Sequence, residues 1–155
     1  MKRLIDRCID TFLAFLIIGM TLVVSISVFY RYVLNHPLSW SEEITRLMIV
    51  WLSFVGAYMA MRENKHIGFD LLTSKFSPRA RTFVALIGNL LILVFLVVVF
   101  WEGIAFSREF LNVGMPYTNL PTGWLYYSVF PVSGALMILQ TFLSILDLWK
   151  SIRST

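Results

Sequence analysis

The sequence contains a single cysteine, Cys8, and two histidines, His36 and His66. One thiol forms no intramolecular disulfide and no Cys-rich metal site, and quinone-linked disulfide chemistry needs cysteine pairs. Both histidines lie outside the long apolar runs, which excludes a membrane haem held between two intramembrane imidazoles. Charge is scarce: 14% of the 155 residues are Asp, Glu, Lys or Arg, against about 25% in a soluble domain. The formal net charge is +4. The charges sit in short blocks between long uncharged runs, not on the basic face of a polar domain, which argues against nucleic acid as a partner. No nucleophile–base pair, metal-ligand cluster or glycine-rich phosphate loop is legible, so the sequence predicts neither an enzyme nor a bound cofactor.

What is present is apolar surface: 58% of the residues are hydrophobic. A spanning helix needs about 20 mostly apolar residues to cross about 30 Å of hydrocarbon. The uncharged runs are 11–30, 47–61, 82–101 and 110–146. The last is too short for two spans and a turn, and its first part, with Asn112, Gly114, Pro116, Asn119 and Pro121, reads as loop. The predicted fold is an all-α membrane protein, one domain over 1–155, with four transmembrane helices at about 11–33, 39–61, 78–101 and 122–146. Pro131 is expected to kink the fourth.

The N-terminal run is too long for a secretory leader, and Asp6 and Asp10 interrupt its start, so it reads as an uncleaved signal-anchor. Ten of the thirteen Lys and Arg fall in the N-terminal segment, the second loop and the C-terminal tail. That bias predicts cytoplasmic N and C termini. Trp40, Trp101, Tyr117, Trp124, Tyr126 and Tyr127 then fall near the outer edge and Trp149 near the inner one, where amphipathic rings prefer to sit. Trp51 is the exception, ~16 Å deep by helical rise, where packing against another helix is expected. In the cytoplasmic loop, Phe69, Leu72 and Phe76 recur at helical spacing beside Lys75 and Arg79, a pattern for a short interfacial helix. Ser77-Pro78 reads as N-cap and first residue of the third span.

No Asp, Glu, Lys, Arg or His lies in the core of a predicted span. Ion-coupled transport usually needs an ionisable group or an unwound, carbonyl-lined site at the midplane. Asn89 and Gln140 are the most polar intramembrane side chains, and they are expected to bond each other across spans three and four as packing glue. The chain is thus poorly equipped to move a substrate alone.

The informative segment opens span two. Ser39 and Glu42 have capping-box spacing, and Glu42 and Glu43 both suit the positive end of a helix dipole. Arg46 is four residues from Glu42 and three from Glu43, so local ion pairing is expected. Glu42, Arg46, Ile49, Ser53, Gly56 and Ala60 form one stripe, charged at its outer end and mostly small below. Gly56-x-x-x-Ala60 permits close approach of another backbone. Trp40, Ile44, Leu47, Trp51, Phe54 and Tyr58 form a bulky neighbouring face. The stripe suggests a protein neighbour, either another span of this chain or a different subunit.

Arg31-Tyr32, Trp40-Ser41-Glu42-Glu43, Arg46, Trp51-Leu52, Gly56-Ala57, Arg62, His66-Ile67 and Asp70 together resemble the signature of one family, the small membrane subunit (DctQ/SiaQ type) of tripartite ATP-independent periplasmic (TRAP) transporters. The resemblance implies a bacterial inner-membrane, sodium-coupled uptake system for organic acids such as dicarboxylates or sialic acids. In it, a large membrane subunit transports, a periplasmic substrate-binding protein docks transiently, and the small subunit scaffolds the large one within a heterodimer in contact with membrane lipids. Its motif residues Trp40, Glu42, Glu43 and Arg46 are assigned to loop organisation and subunit contact, and the helical faces described above add Trp51, Ser53, Gly56 and Ala60 to that contact. Arg62, His66 and Asp70 form the cytoplasmic part of the motif. Arg31 and Arg108, the remaining periplasmic basic residues, are candidates for meeting the binding protein. The competing readings are a stand-alone homo-oligomeric exporter and the membrane anchor of a redox complex.

Overall fold

A computed structural model of the chain describes residues 2–63 and 78–153. Within them lie four long helices, α1 (Lys2–Tyr32), α2 (Ser39–Arg62), α3 (Pro78–Glu109) and α4 (Val129–Arg153). A π-helical turn at Gly123–Tyr127 leads into α4. Four helical stretches, the fourth including the π turn, are long and apolar enough to cross a membrane.

The helices outrun the predicted spans because charge does not end a helix; it only lifts the helix out of hydrocarbon. Thus α3 continues past Trp101 to Glu109 and carries Glu102 and Arg108 on its extension. Pro78 is its first residue, where a missing N–H is harmless. The expected interfacial helix at Phe69, Leu72 and Phe76, and the Ser77 cap, lie outside the described residues.

The break in the fourth span is a π turn. Pro131 has no N–H to give the Tyr127 carbonyl, and its ring crowds that position. The chain widens through Tyr127 and resumes α-helix at Val129. Phe106, Phe110, Tyr127 and Phe130 pack around this break, with Phe110 and Tyr127 centroids 4.9 Å apart.

The helices pack in the order α1–α2–α4–α3. The α3–α4 seam is the closest. A Cβ on Gly103 would lie 2.6 Å from Phe130 Cβ, so only glycine permits that crossing. Fully buried residues there include Val129 and Ser133. Ser133 and Thr141 donate to the carbonyls of Val129 and Met137 on their own helix, which removes the penalty of a bare hydroxyl in an apolar core. Phe15, Ile18 and Leu22 on α1 and Leu91, Val94 and Phe95 on α3 are exposed, as lipid-facing side chains should be.

Candidate functional site

The site sits where α1, α2 and the loop before α4 meet at one end of the bundle. The link between α1 and α2 is tight. Asn35 takes a left-handed conformation (φ 51°), and the His36 N–H closes on the Tyr30 carbonyl at 3.0 Å. The turn brings the last turn of α1 beside the first of α2.

The expected capping box does not form. Leu38 occupies the cap position, with no side-chain bond. Glu42 instead accepts from Arg31 Nη2 at 2.9 Å. Glu43 turns the other way. It accepts from the Tyr117 N–H (2.9 Å), the Thr118 N–H (3.0 Å) and the Thr118 hydroxyl (2.8 Å). Neighbouring positions on a helix point about 100° apart, so one carboxylate reaches α1 and the next reaches the loop. For the same reason the expected local pairing with Arg46 makes no hydrogen-bonded contact, although the Arg46 charge still acts on Glu43 through space. Both carboxylates have partners elsewhere, and Arg46 has no hydrogen-bond partner among the described residues.

The loop that Glu43 holds is well formed. Met115 N–H donates to the Leu120 carbonyl and Thr122 N–H to the Val113 carbonyl, both at 2.9 Å. Asn119 supplies the positive φ, at 52°. Gly123 closes the loop by donating to the Phe110 carbonyl at 3.0 Å.

Trp51 adds a third tie. Its Nε1–H donates to the Leu125 carbonyl in the π turn at 2.7 Å, and its ring meets Phe12 edge-on at 5.9 Å. The packing role expected for this tryptophan is therefore joined by a polar one. A hydrogen bond away from water holds two segments in register where the apolar surround cannot.

Ser41, which belongs to the signature but is given no role from the sequence, is 1% exposed. Its hydroxyl donates to the Leu38 carbonyl (2.6 Å) and shares a hydrogen bond with the Ser27 hydroxyl (2.8 Å). The signal was there, a hydroxyl at helical spacing from the bulky face. Thr118 had no local signal, because its partner is 75 residues away.

The two faces of α2 separate cleanly. Val55 and Tyr58 are buried against the rest of the chain. Ile49, Ser53 and Ala60 are exposed, and a Cβ on Gly56 would meet nothing within 4 Å. The neighbour of the small-residue stripe is therefore not another described span of this chain. Trp40 is 41% exposed at the rim. Arg108 is exposed near the end of α3, Arg62 is half-buried at the opposite end of α2, and His66 and Asp70 lie outside the described residues. Asn89 does not bond Gln140: its amide donates to the Ala85 carbonyl of its own helix at 2.8 Å. A backbone acceptor one turn away is reached without bringing two long amides together. Among the described residues no three His, Cys, Asp or Glu side chains come together as metal ligands.

Comparison with known proteins shows the family. Residues 20–151 match the family model of the DctQ component of tripartite ATP-independent periplasmic transporters. A putative TRAP transporter small permease protein of Haemophilus influenzae is 28% identical over 130 residues, covering 83% of this chain and 80% of its own length. The sialic acid TRAP transporter small permease protein SiaQ of Vibrio cholerae is 26% identical over 120 residues, 77% of this chain and 69% of its own. The sialic acid TRAP transporter permease protein SiaT of Haemophilus influenzae is 29% identical over 113 residues, which are 71% of this chain but 18% of SiaT. With a match running over nearly the whole of the four-helix unit, the chain belongs to the DctQ component family of tripartite ATP-independent periplasmic transporters.

Proposed function

We propose that this chain is the non-catalytic scaffold of such a transporter, and that the exposed stripe of α2 is its contact with the large subunit. The observation that carries the reading is the contrast within α2. Below the rim residue Trp40 the bulky face is half-buried or buried against this chain, while Ser53 and Ala60 are exposed and Gly56 has open space where a Cβ would stand. Small residues let helices approach closely in a bilayer, where bulky ones such as those on α3 suit lipid. A long permease with a segment similar to this chain, as in SiaT, supports placing the two in one complex.

In this reading the α1–α2 turn and the 110–122 loop face the periplasm, the termini face the cytoplasm, and the complex lies in the bacterial inner membrane. Substrate and sodium are handled by the large subunit, for an organic acid captured by a binding protein. The side chains buried in the described bundle are apolar or hydroxyl-bearing, which suits a part that stays fixed. Arg31 and Arg108 are candidate contacts for the binding protein, and Arg62, His66 and Asp70 complete the family motif on the cytoplasmic side. Membership in this family sets aside the exporter and redox-anchor alternatives.

The test is co-purification with the large subunit. Gly56→Trp should abolish it, while Leu91→Trp on the exposed face of α3 should leave it intact. Loss with Leu91→Trp and retention with Gly56→Trp would place the interface elsewhere.

A further inference from the structure

A cleft of about 420 Å³ opens between α1 and α2 beside the Arg31–Glu42 bridge. Val24, Val28 and Ile49 line it together with the hydroxyl-bearing Ser27, Ser41 and Thr45, and Arg31, Glu42 and Arg46 line its charged end. Val24 lies seven residues before Arg31, so the apolar trench runs ~10 Å toward the bilayer centre from the cationic end. The charge there is unbalanced. Glu42 answers one amino group of Arg31. Glu43 is turned to the loop, and Arg46 has no hydrogen-bond partner among the described residues. The lining thus carries two guanidinium groups and one carboxylate; Glu43, outside the lining, acts on Arg46 only through space, and the Arg46 N–H donors stay unused at the head of a groove that opens sideways between two helices.

That combination fits an amphiphile with an anionic head. A free anion has no use for the trench, and a zwitterionic lipid brings, beside its phosphate, a cation that two guanidinium groups repel. Arginine's planar fork matches a phosphate with paired, charge-assisted hydrogen bonds. We propose that the cleft holds one anionic phospholipid of the adjoining leaflet, its phosphodiester between Arg31 and Arg46 and an acyl chain along Val24, Val28 and Ile49. The site shares Glu42, Arg46 and Ile49 with the outer end of the α2 stripe, so the lipid would lie at the edge of the proposed contact with the large subunit, below which Ser53, Gly56 and Ala60 remain free for it.

Native mass spectrometry of the delipidated full chain, alone and with the large subunit, tests it. The probes are phosphatidylglycerol, phosphatidylcholine and inorganic phosphate. One phosphatidylglycerol should bind per chain in preference to phosphatidylcholine, with no displacement by phosphate. Arg46→Gln should weaken binding about tenfold, the loss expected for one hydrogen bond to a charged group. Ile49→Trp keeps both arginines but fills the trench, and it should weaken binding as much. It also carries the test if Arg46→Gln does not purify. Leu91→Trp should bind as the parent does. Equal affinity for the two lipids, binding unchanged in both cleft variants, or lipid expelled when the large subunit is present would each overturn the proposal. The last would make the occupant a protein.

Discussion

Two glycines should respond to the same substitution with opposite signs. A Cβ on Gly123 would lie 2.4 Å from the Ser107 carbonyl oxygen, 2.7 Å from Leu111 N and 2.8 Å from Phe110 C. All three are backbone atoms, so no side chain can rotate away. Ordinary carbon contacts are 3.5–4.0 Å, so the end of α3 and the π turn must separate by about 1 Å. Overpacking typically costs about 1–3 kcal/mol, and a clash against backbone belongs at the upper end. For a chain of this size each kcal/mol moves the midpoint by about 2–4 °C, so a cost of about 3 kcal/mol in Gly123→Ala should lower Tm by about 6–12 °C. Gly56 meets nothing within 4 Å. Alanine there gains about 0.5–1 kcal/mol of helix stability, and Gly56→Ala should raise Tm of the isolated chain by about 1–4 °C. Thermal unfolding in detergent, followed by far-ultraviolet circular dichroism, measures both. A Gly123→Ala midpoint at or above the parent, or a Gly56→Ala midpoint that falls as far, would refute the packing argument.

Removing the Glu43 carboxylate should free the loop without unfolding the helices: in Glu43→Ala the amides of Tyr117 and Thr118 should exchange with solvent faster, while those of α3 and α4 keep their protection. Unchanged exchange would mean that the loop's own Met115–Leu120 and Thr122–Val113 bonds hold it unaided. Trp51→Phe keeps most of the ring but loses the bond to Leu125, and it should destabilise the chain by about 1–2 kcal/mol in equilibrium unfolding with denaturing detergent, near the top of the range for bonds within membranes. The Arg31–Glu42 bridge is exposed on both sides, so a double-mutant cycle should give a coupling of about 0–1 kcal/mol that shrinks with added salt.

The spans were legible because the bilayer imposes one length and one chemistry on every crossing. The ends of the helices were not. Glu109 and Lys2 lie well outside the uncharged runs because helix formation tolerates charges that hydrocarbon does not. At the site the residue identities were legible and their partners were not. Ser39 and Glu42 have capping-box spacing, but an arginine eleven residues earlier gives Glu42 a full opposite charge in place of a backbone dipole. Glu43 and Trp51 bond to atoms 74 or 75 residues away, beyond any local pattern. Asn89 shows the reverse error: a long-range partner was expected where the next turn of the helix sufficed.

The order α1–α2–α4–α3 has a consequence for assembly. Each half of the chain is a helical hairpin of sequence neighbours, and α2 with α4 and its π turn forms the principal seam between them. The Trp51–Leu125 and Glu43–Thr118 bonds both cross that seam. Such a chain can enter a bilayer as two hairpins that recognise each other afterwards. Two separately expressed pieces, divided between residues 63 and 78, would then carry everything needed to find one another in the membrane.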